Sequence, residues 1–391
     1  SGRSSGTSFI DIGDPANPVY LGDLPTHTVN NDWRDMKVYQ NHAYIVSEAS
    51  AHGLQVFDLT QLRSVASPPA TFSETAHFSD FGTAHNIALN TDTGFAYVVG
   101  ADTCSGGIYM LDLSNPASPS YAGCYSGDGY THDVQCVVYS GPDSSYSGQE
   151  ICFASNEDTL TIVDVSNKSA PVQLSRTGYS GSAYTHQGWL TDDQQYFLLG
   201  DELDEDSSGH NTRTYVWDVS DLDSPQLVGN HTSHLPVIDH NLYVIGDFVY
   251  QANYEAGLRI LKIEDLATAD LCEVASFDIY PSGNAVTYNG AWNVYPFFSS
   301  GVVSINAIEG LAIVQPQLAS VECATSPPGS GHAWFASDPS EISDQYLATT
   351  SPVDITTGTS LYFWHDYNTE NSYDGGVAEY SSDGGTTWLD L

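Results

Sequence analysis

Residues 109–125 read YMLDLSNPASPSYAGCY: a short apolar strand ends on Asp112, a polar turn follows, and Pro119 opens another strand. The phrase returns at 9–24 (FIDIGDPANPVYLGDL), 161–177 (TIVDVSNKSAPVQLSRT) and 215–231 (YVWDVSDLDSPQLVGNH), and more loosely at 55–72 (QVFDLTQLRSVASPPATF). A supersecondary unit recurring at roughly 50-residue spacing belongs to a propeller or a solenoid, because one such unit cannot bury its apolar face alone. The units here are made of strands, which selects the propeller.

The rest of each unit can be laid out around the phrase. Upstream of most copies stands a strand that opens on a polar pair: Arg34-Asp35, His85-Asn86, His132-Asp133, His186-Gln187, His240-Asn241 and, less alike, Trp292-Asn293, at intervals of 47 to 54 residues. A second apolar strand follows, as in HAYIVSE, EICFASNED and YFLLGDE. The phrase itself supplies the third strand, and Pro18, Pro119, Pro171 and Pro225 introduce the fourth. Proline has no N–H for the ladder and so suits the start of an outer edge strand. Four antiparallel strands per unit make the blade of a β-propeller. Six first strands against seven third strands imply seven blades with an incomplete first one; six blades closed by a swapped strand is the alternative. A chain that opens at Ser1 inside a blade is expected to derive from a longer precursor.

Six cysteines pair in sequence order as Cys104 with Cys124, Cys136 with Cys152 and Cys272 with Cys323. This is one of about 15 possible connectivities, and buried free thiols are the alternative. An even number at such spacings points to a secreted, disulfide-bonded protein. Asn167-Lys168-Ser169 and Asn230-His231-Thr232 are acceptor tripeptides for N-glycosylation. No apolar run reaches the roughly 18 residues that a membrane-spanning helix needs. The formal charge is −40, from 49 acidic and 9 basic residues. Such a surface repels nucleic acid and anionic membranes. Because the acids are spread along the chain, a solvated surface suited to salt water accounts for them.

The propeller phrase stops before Pro316. Residues 1–323 are assigned to the propeller and 324–331, rich in Pro, Gly and Ser, to a linker. Residues 332–391 alternate apolar and polar positions around Asp374-Gly375-Gly376 and Asp383-Gly384-Gly385, which predicts a β-sandwich, short enough to be truncated.

The runs at 33–49 (WRDMKVYQNHAYIVSEA), 130–167 (YTHDVQCVVYSGPDSSYSGQEICFASNEDTLTIVDVSN), 184–205 (YTHQGWLTDDQQYFLLGDELDE) and 238–261 (IDHNLYVIGDFVYQANYEAGLRIL) resemble the choice-of-anchor B family. The likeness spans nearly all of residues 6–315. It implies LVIVD-type propeller repeats and a secreted, surface-anchored protein, and it implies no reaction. The tail, with LYFWHDYNTENSYDGGVAEYSSDGGTTW at 361–388, is similar to jelly-roll modules appended to secreted peptidases and adhesins.

The first strand of a blade lines the central channel, so His85, His132, His186 and His240 should form a ring about its axis. Imidazole is a ready ligand for Zn, Cu, Ni or Fe, with Asp35 and Asp133 as neighbouring partners. A polar ring that only bonds adjacent blades is the competing assignment, as is recognition of a ligand or partner. Arg34 and Trp292 break the symmetry, and a cation at position 34 opposes a metal. A second cluster, Asp201, Glu202, Asp204, Glu205 and Asp206, offers oxygen ligands for calcium, although its spacing matches no EF-hand. Catalytic motifs such as G-x-S-x-G, H-E-x-x-H and the P-loop are absent from the sequence. Two function classes follow. One is a non-catalytic surface module that binds protein or carbohydrate or assembles with itself, as in a surface layer, adhesin or filament. The other is a metal-dependent hydrolase or oxidase built on the histidine ring.

Overall fold

The turn that closes each third strand explains the repeated phrase. In blade after blade the strand's final aspartate turns its Oδ1 onto the amide two residues ahead: Asp11 to Gly13, Asp58 to Thr60, Asp112 to Ser114, Asp164 to Ser166 and Asp218 to Ser220, all between 2.7 and 2.9 Å. Such an Asx turn offers the backbone an alternative to the ladder and so ends the strand at a fixed residue.

The computed structural model of the chain describes residues 4–308, 310–318, 321, 323, 379–380, 387 and 389–390. Seven sheets form a seven-bladed β-propeller. Blade 1 holds Gly6–Asp11 and Val19–Pro25; blade 2, Arg34–Tyr39, His42–Ser47, Leu54–Asp58 and Ala76–Phe78; blade 3, Asn86–Asn90, Phe95–Val99, Ile108–Asp112 and Ser120–Tyr125. Blade 4 holds Asp133–Val138, Glu150–Ser155, Thr159–Asp164 and Val172–Gly178; blade 5, Thr185–Leu190, Tyr196–Asp201, Arg213–Asp218 and Gln226–Thr232. Blade 6 holds Leu242–Ile245, Phe248–Ala252, Leu258–Asp265 and Asp270–Phe277; blade 7, Ala291–Tyr295, Val303–Ala307 and Gly310–Val314. Among the described residues α-helix is confined to Asp204–Ser208. No helix among them is long and apolar enough to cross a membrane.

The loose copy at 55–72 behaves differently from the others. Its Ala70–Thr71 strand leaves blade 2 and pairs in parallel with Val19–Pro25 of blade 1, Gly22 opposite Ala70, while Ala76–Phe78 becomes the fourth strand of blade 2. Among the described residues blade 1 thus has two strands of its own and a third from its neighbour at the outer edge. Gly22 makes this possible, since a Cβ there would lie 1.8 Å from the Ala70 carbonyl oxygen.

In blades 2 to 5 the second and third strands are buried along nearly their whole length, as in Glu150–Ser155 and Thr159–Asp164, because each of these blades is covered on both faces by its neighbours. Every consecutive pair of blades shares an apolar cluster: Phe9, Ile45 and Phe57 between blades 1 and 2, and Phe153, Phe197 and Trp217 between blades 4 and 5, are typical. Three disulfides reinforce the sheets. Cys104–Cys124 ties the approach to the third strand of blade 3 to its fourth, Cys136–Cys152 joins paired residues of blade 4, and Cys272–Cys323 binds the outer strand of blade 6 to the chain beyond blade 7.

The chain divides into two units, Ser1–Cys323 and Ala324–Leu391. In the second, Glu379–Tyr380 pairs antiparallel with Leu389–Asp390 across the segment that holds Asp383-Gly384-Gly385. The expected linker and the remainder of the expected sandwich lie outside the described residues.

Candidate functional site at the channel mouth

The inner strands bring the four histidines into one continuous stack. Ring centroids are 4.2 Å apart between His85 and His132, 4.0 Å between His132 and His186, and 4.4 Å between His186 and His240; Trp292 of blade 7 extends the arc at 4.7 Å. Arg34 holds the equivalent place in blade 2, and its guanidinium turns to His52 Nε2 at 2.9 Å. Burial pushes Arg34 down to about 10.

Part of the arc bonds blade to blade. Thr185 pairs with Asp201 and Gln187 with Gly200, so His186 is the extra residue of a bulge and its carbonyl lies outside the ladder. His132 Nδ1–H donates to that carbonyl at 2.9 Å. Trp292 is the extra residue of a matching bulge in blade 7, and its backbone interacts with His240. Burial, reinforced by neighbouring imidazoles, drives His132 and His186 well below the usual histidine range; burial pushes His240 down to about 3. His132, His186 and His240 are therefore neutral at physiological pH.

The other side of the arc is not closed by hydrogen bonds. Neither ring nitrogen of His186, nor Nδ1 of His240, completes a hydrogen bond, although the backbone of His240 lies near enough to act on the first ring and that of Trp292 on the second. Glu202, at the end of the second strand of blade 5, places Oε2 3.5 Å from His186 Nε2 and Oε1 3.8 Å from His240 Nε2, and accepts the Tyr254 hydroxyl at 2.5 Å. Burial raises the Glu202 carboxyl, and the Tyr254 bond pulls it partly back. The candidate ligand atoms of His186, Glu202 and His240 all lie within 4.8 Å of one another. Two neutral imidazoles and one carboxylate suit a transition metal of the Zn, Cu, Fe or Ni kind. His85 belongs to a different contact, 2.6 Å from Glu48 Oε1.

Carboxylates recur where second strands end. Glu48 and Glu157 add to the burial that raises Tyr130 and Tyr184, and Glu202 also acts on Tyr184. Glu48, Glu157 and Glu202, from blades 2, 4 and 5, thus act together on the two tyrosines. Glu48 and Glu157 escaped selection as site residues, although the SE, NED and GDE endings of the second strands carried the signal. Asp35 and Asp133 are directed elsewhere. Asp133 accepts Asn86 Nδ2 at 2.6 Å, and Asp35 pairs with Lys37 and accepts the Ile87 amide at 3.3 Å.

The acidic run splits in the structure. Glu202 joins the channel histidines, Asp206 is exposed, and Asp201, Asp204 and Glu205 turn inward, the last two in a short helix where a loop was expected. Asp239 joins them, with no local sequence signal to mark it. Asn167 and Asn230 are both exposed.

Fold and repeats together define a class: a seven-bladed β-propeller with LVIVD repeats. Residues 81–126 and 145–177, in blades 3 and 4, match the family model described as the LVIVD repeat. No curated protein matches the chain. Among solved structures, it is similar to a protein from Lactobacillus plantarum (12% identity, TM-score 0.58, covering 82% of this chain and 93% of that one). It is also similar to a candidate 6-phosphogluconolactonase from Bacteroides fragilis (12%, TM-score 0.57, 83% and 90%) and to Kuenenia stuttgartiensis hydrazine synthase (11%, TM-score 0.57, 81% and 90%). At these identities the likeness is one of fold.

Proposed function

We propose that the protein is a secreted, surface-associated binding module of the choice-of-anchor B type, and that the channel mouth takes a positively charged group of its partner. The observation that carries this is the convergence of Glu48, Glu157 and Glu202 on Tyr184, with Glu48 and Glu157 acting also on Tyr130. Carboxylates attract a cation, and tyrosine faces add cation–π attraction. Three disulfides favour an oxidising location. The exposed Asn167 and Asn230 are compatible with glycosylation, and the tail is assigned to a jelly-roll-like module that spaces or anchors the propeller. The lactonase and hydrazine synthase likenesses bring no activity to this chain.

Calorimetric titration with a short lysine-rich peptide tests the proposal. Neutralising Glu48, Glu157 and Glu202 together to Gln should weaken binding at least tenfold, while neutralising three outer-turn acids, Asp14, Asp92 and Asp221, should barely change it. Equal losses in the two triple variants would reduce the effect to net charge and refute the assignment.

A second function is favoured by the ring nitrogens of His186, which complete no hydrogen bond: a transition metal held by His186, Glu202 and His240, the basis for a hydrolase or oxidase. Elemental mass spectrometry on protein purified without chelators or affinity metals should then find one equivalent, lost in His186→Ala. Metal-free protein would end that possibility.

A further inference from the structure

The inward-facing acids of blade 5 form a second cluster, separate from the channel mouth. Asp204 and Glu205 are 0% and 1% exposed, and Asp239, on the segment entering blade 6, is 2% exposed. Blade 5 leaves space for Asp239 by having no side chain at Gly200, where a Cβ would stand 2.2 Å from Asp239 Oδ2. Asp201 lies alongside but is satisfied: it accepts the Tyr179 hydroxyl at 2.6 Å and the amides of Ala183 and Tyr184.

The other three acids are not satisfied. Asp204 Oδ2 accepts the Tyr215 hydroxyl at 2.7 Å, but Asp204 Oδ1, both oxygens of Glu205 and Asp239 Oδ1 have no hydrogen-bond partner. The Asp204 carboxyl and the amides of Glu205 and Arg213 lie near enough to act on the Glu205 carboxyl without completing a bond to it. His210 Nε2, also unpartnered, is 3.5 Å from Asp204 Oδ2. Among the described residues no Lys or Arg pairs with any of these acids; the Arg213 side chain acts on the Tyr215 hydroxyl instead.

These oxygens are buried together with no counter-charge from Lys or Arg among the described residues. Protons alone would relieve the charge but leave the remaining oxygens without partners, a cost that buried polar groups rarely carry. A divalent cation relieves both.

We propose that Asp204 and Glu205, whose ligand atoms lie within 4.8 Å of one another and of His210, hold a divalent cation between blade 5 and the entry to blade 6, with calcium the occupant favoured by carboxylate oxygens and Asp239 adding its charge from the neighbouring segment. Backbone carbonyls and water complete the six to eight oxygens calcium takes. The ion ties the 201–210 loop to the next blade and so fixes the backbone beside Glu202.

The test is thermal melting of EGTA-treated protein at pH 7.5 with and without CaCl2, together with elemental analysis. One equivalent of calcium and a rise in Tm of roughly 5 °C at a hundredfold excess over Kd are expected. Glu205→Gln and Asp239→Asn remove charge from a crowded cluster. They should keep or raise the metal-free Tm while abolishing the calcium response, which separates lost binding from failed folding. Glu202→Gln should keep the response, which separates this site from the channel mouth. Manganese or zinc lost in the same variants would equally support the site, with His210 as a ligand. Absence of bound metal with an unmoved Tm, or a response that survives in both cluster variants, would overturn the proposal.

Discussion

Replacing His132 with Ala asks whether the histidine arc is mortar between blades. The ring is 5% exposed and its Nδ1–H is the donor to the His186 carbonyl, which the bulge leaves outside the ladder. Leaving that carbonyl unpaired costs about 1–3 kcal/mol. The contacts with His85 and His186 at 4.2 and 4.0 Å add roughly 0.5–1 kcal/mol each. The sum is about 3 kcal/mol, to be read from urea unfolding followed by tryptophan fluorescence. His132→Asn, whose Nδ2 can replace the Nδ1–H donor, should recover about half. The cost should be the same with and without chelator, since His132 has no place in the His186–Glu202–His240 group. A loss of His132→Ala stability below about 0.5 kcal/mol, or an Asn variant no better than Ala, would refute the reasoning.

Three further outcomes are expected. Burial pushes Asp133 up to about 7 from the ordinary 3.8, with Lys37 and His85 opposing and Asp35 reinforcing the shift. The folded protein therefore holds this proton more tightly than the unfolded chain, and the stability it contributes is complete below about pH 4 and lost as pH rises through 7. Asp133→Asn should remove on the order of 2 kcal/mol of that decline, seen as a flatter Tm profile between pH 5 and 8. Lys168 Nζ meets Glu150 Oε2 at 2.6 Å in a buried pair that also draws on Asn90 and Thr93. Lys168→Met should cost about 3 kcal/mol in denaturant titration, with part regained on adding Glu150→Gln. Replacing Cys136 and Cys152 together with Ser opens a closure of 16 residues and should cost about 3 kcal/mol, with little change in far-ultraviolet circular dichroism.

The architecture was legible because its signal is local and repeated. An aspartate two residues before the amide it caps leaves the same mark in blades 1 to 6, and a proline one residue before the outer strand leaves another in blades 1, 3, 4 and 5. The departure at Ala70–Thr71 was not legible, because it extends the outer edge of blade 1 at Val19–Pro25 and depends on Gly22, nearly 50 residues earlier. The histidine arc could be placed from its spacing. Its neutrality at His132, His186 and His240 and its use of bulge carbonyls could not, since a bulge is a property of pairing register. The acidic run showed charge but not direction: consecutive residues Glu202 to Asp206 part toward the channel, the blade junction and solvent. Asp239 lies next to His240 in sequence and so was hidden by a more conspicuous neighbour.

The Cys272–Cys323 bridge also decides how the propeller bears a mechanical load. It links the outer strand of blade 6 to the chain just past blade 7, and so takes 51 residues of sequence out of the line of tension. A pull applied from the C-terminal side of Cys323 is delivered to Asp270–Phe277, paired along Leu258–Asp265, instead of peeling Gly310–Val314 from a sheet of three strands. While the bridge is oxidised, blade 7 carries none of the force. Reduction would return it to the path and make it the first blade to yield.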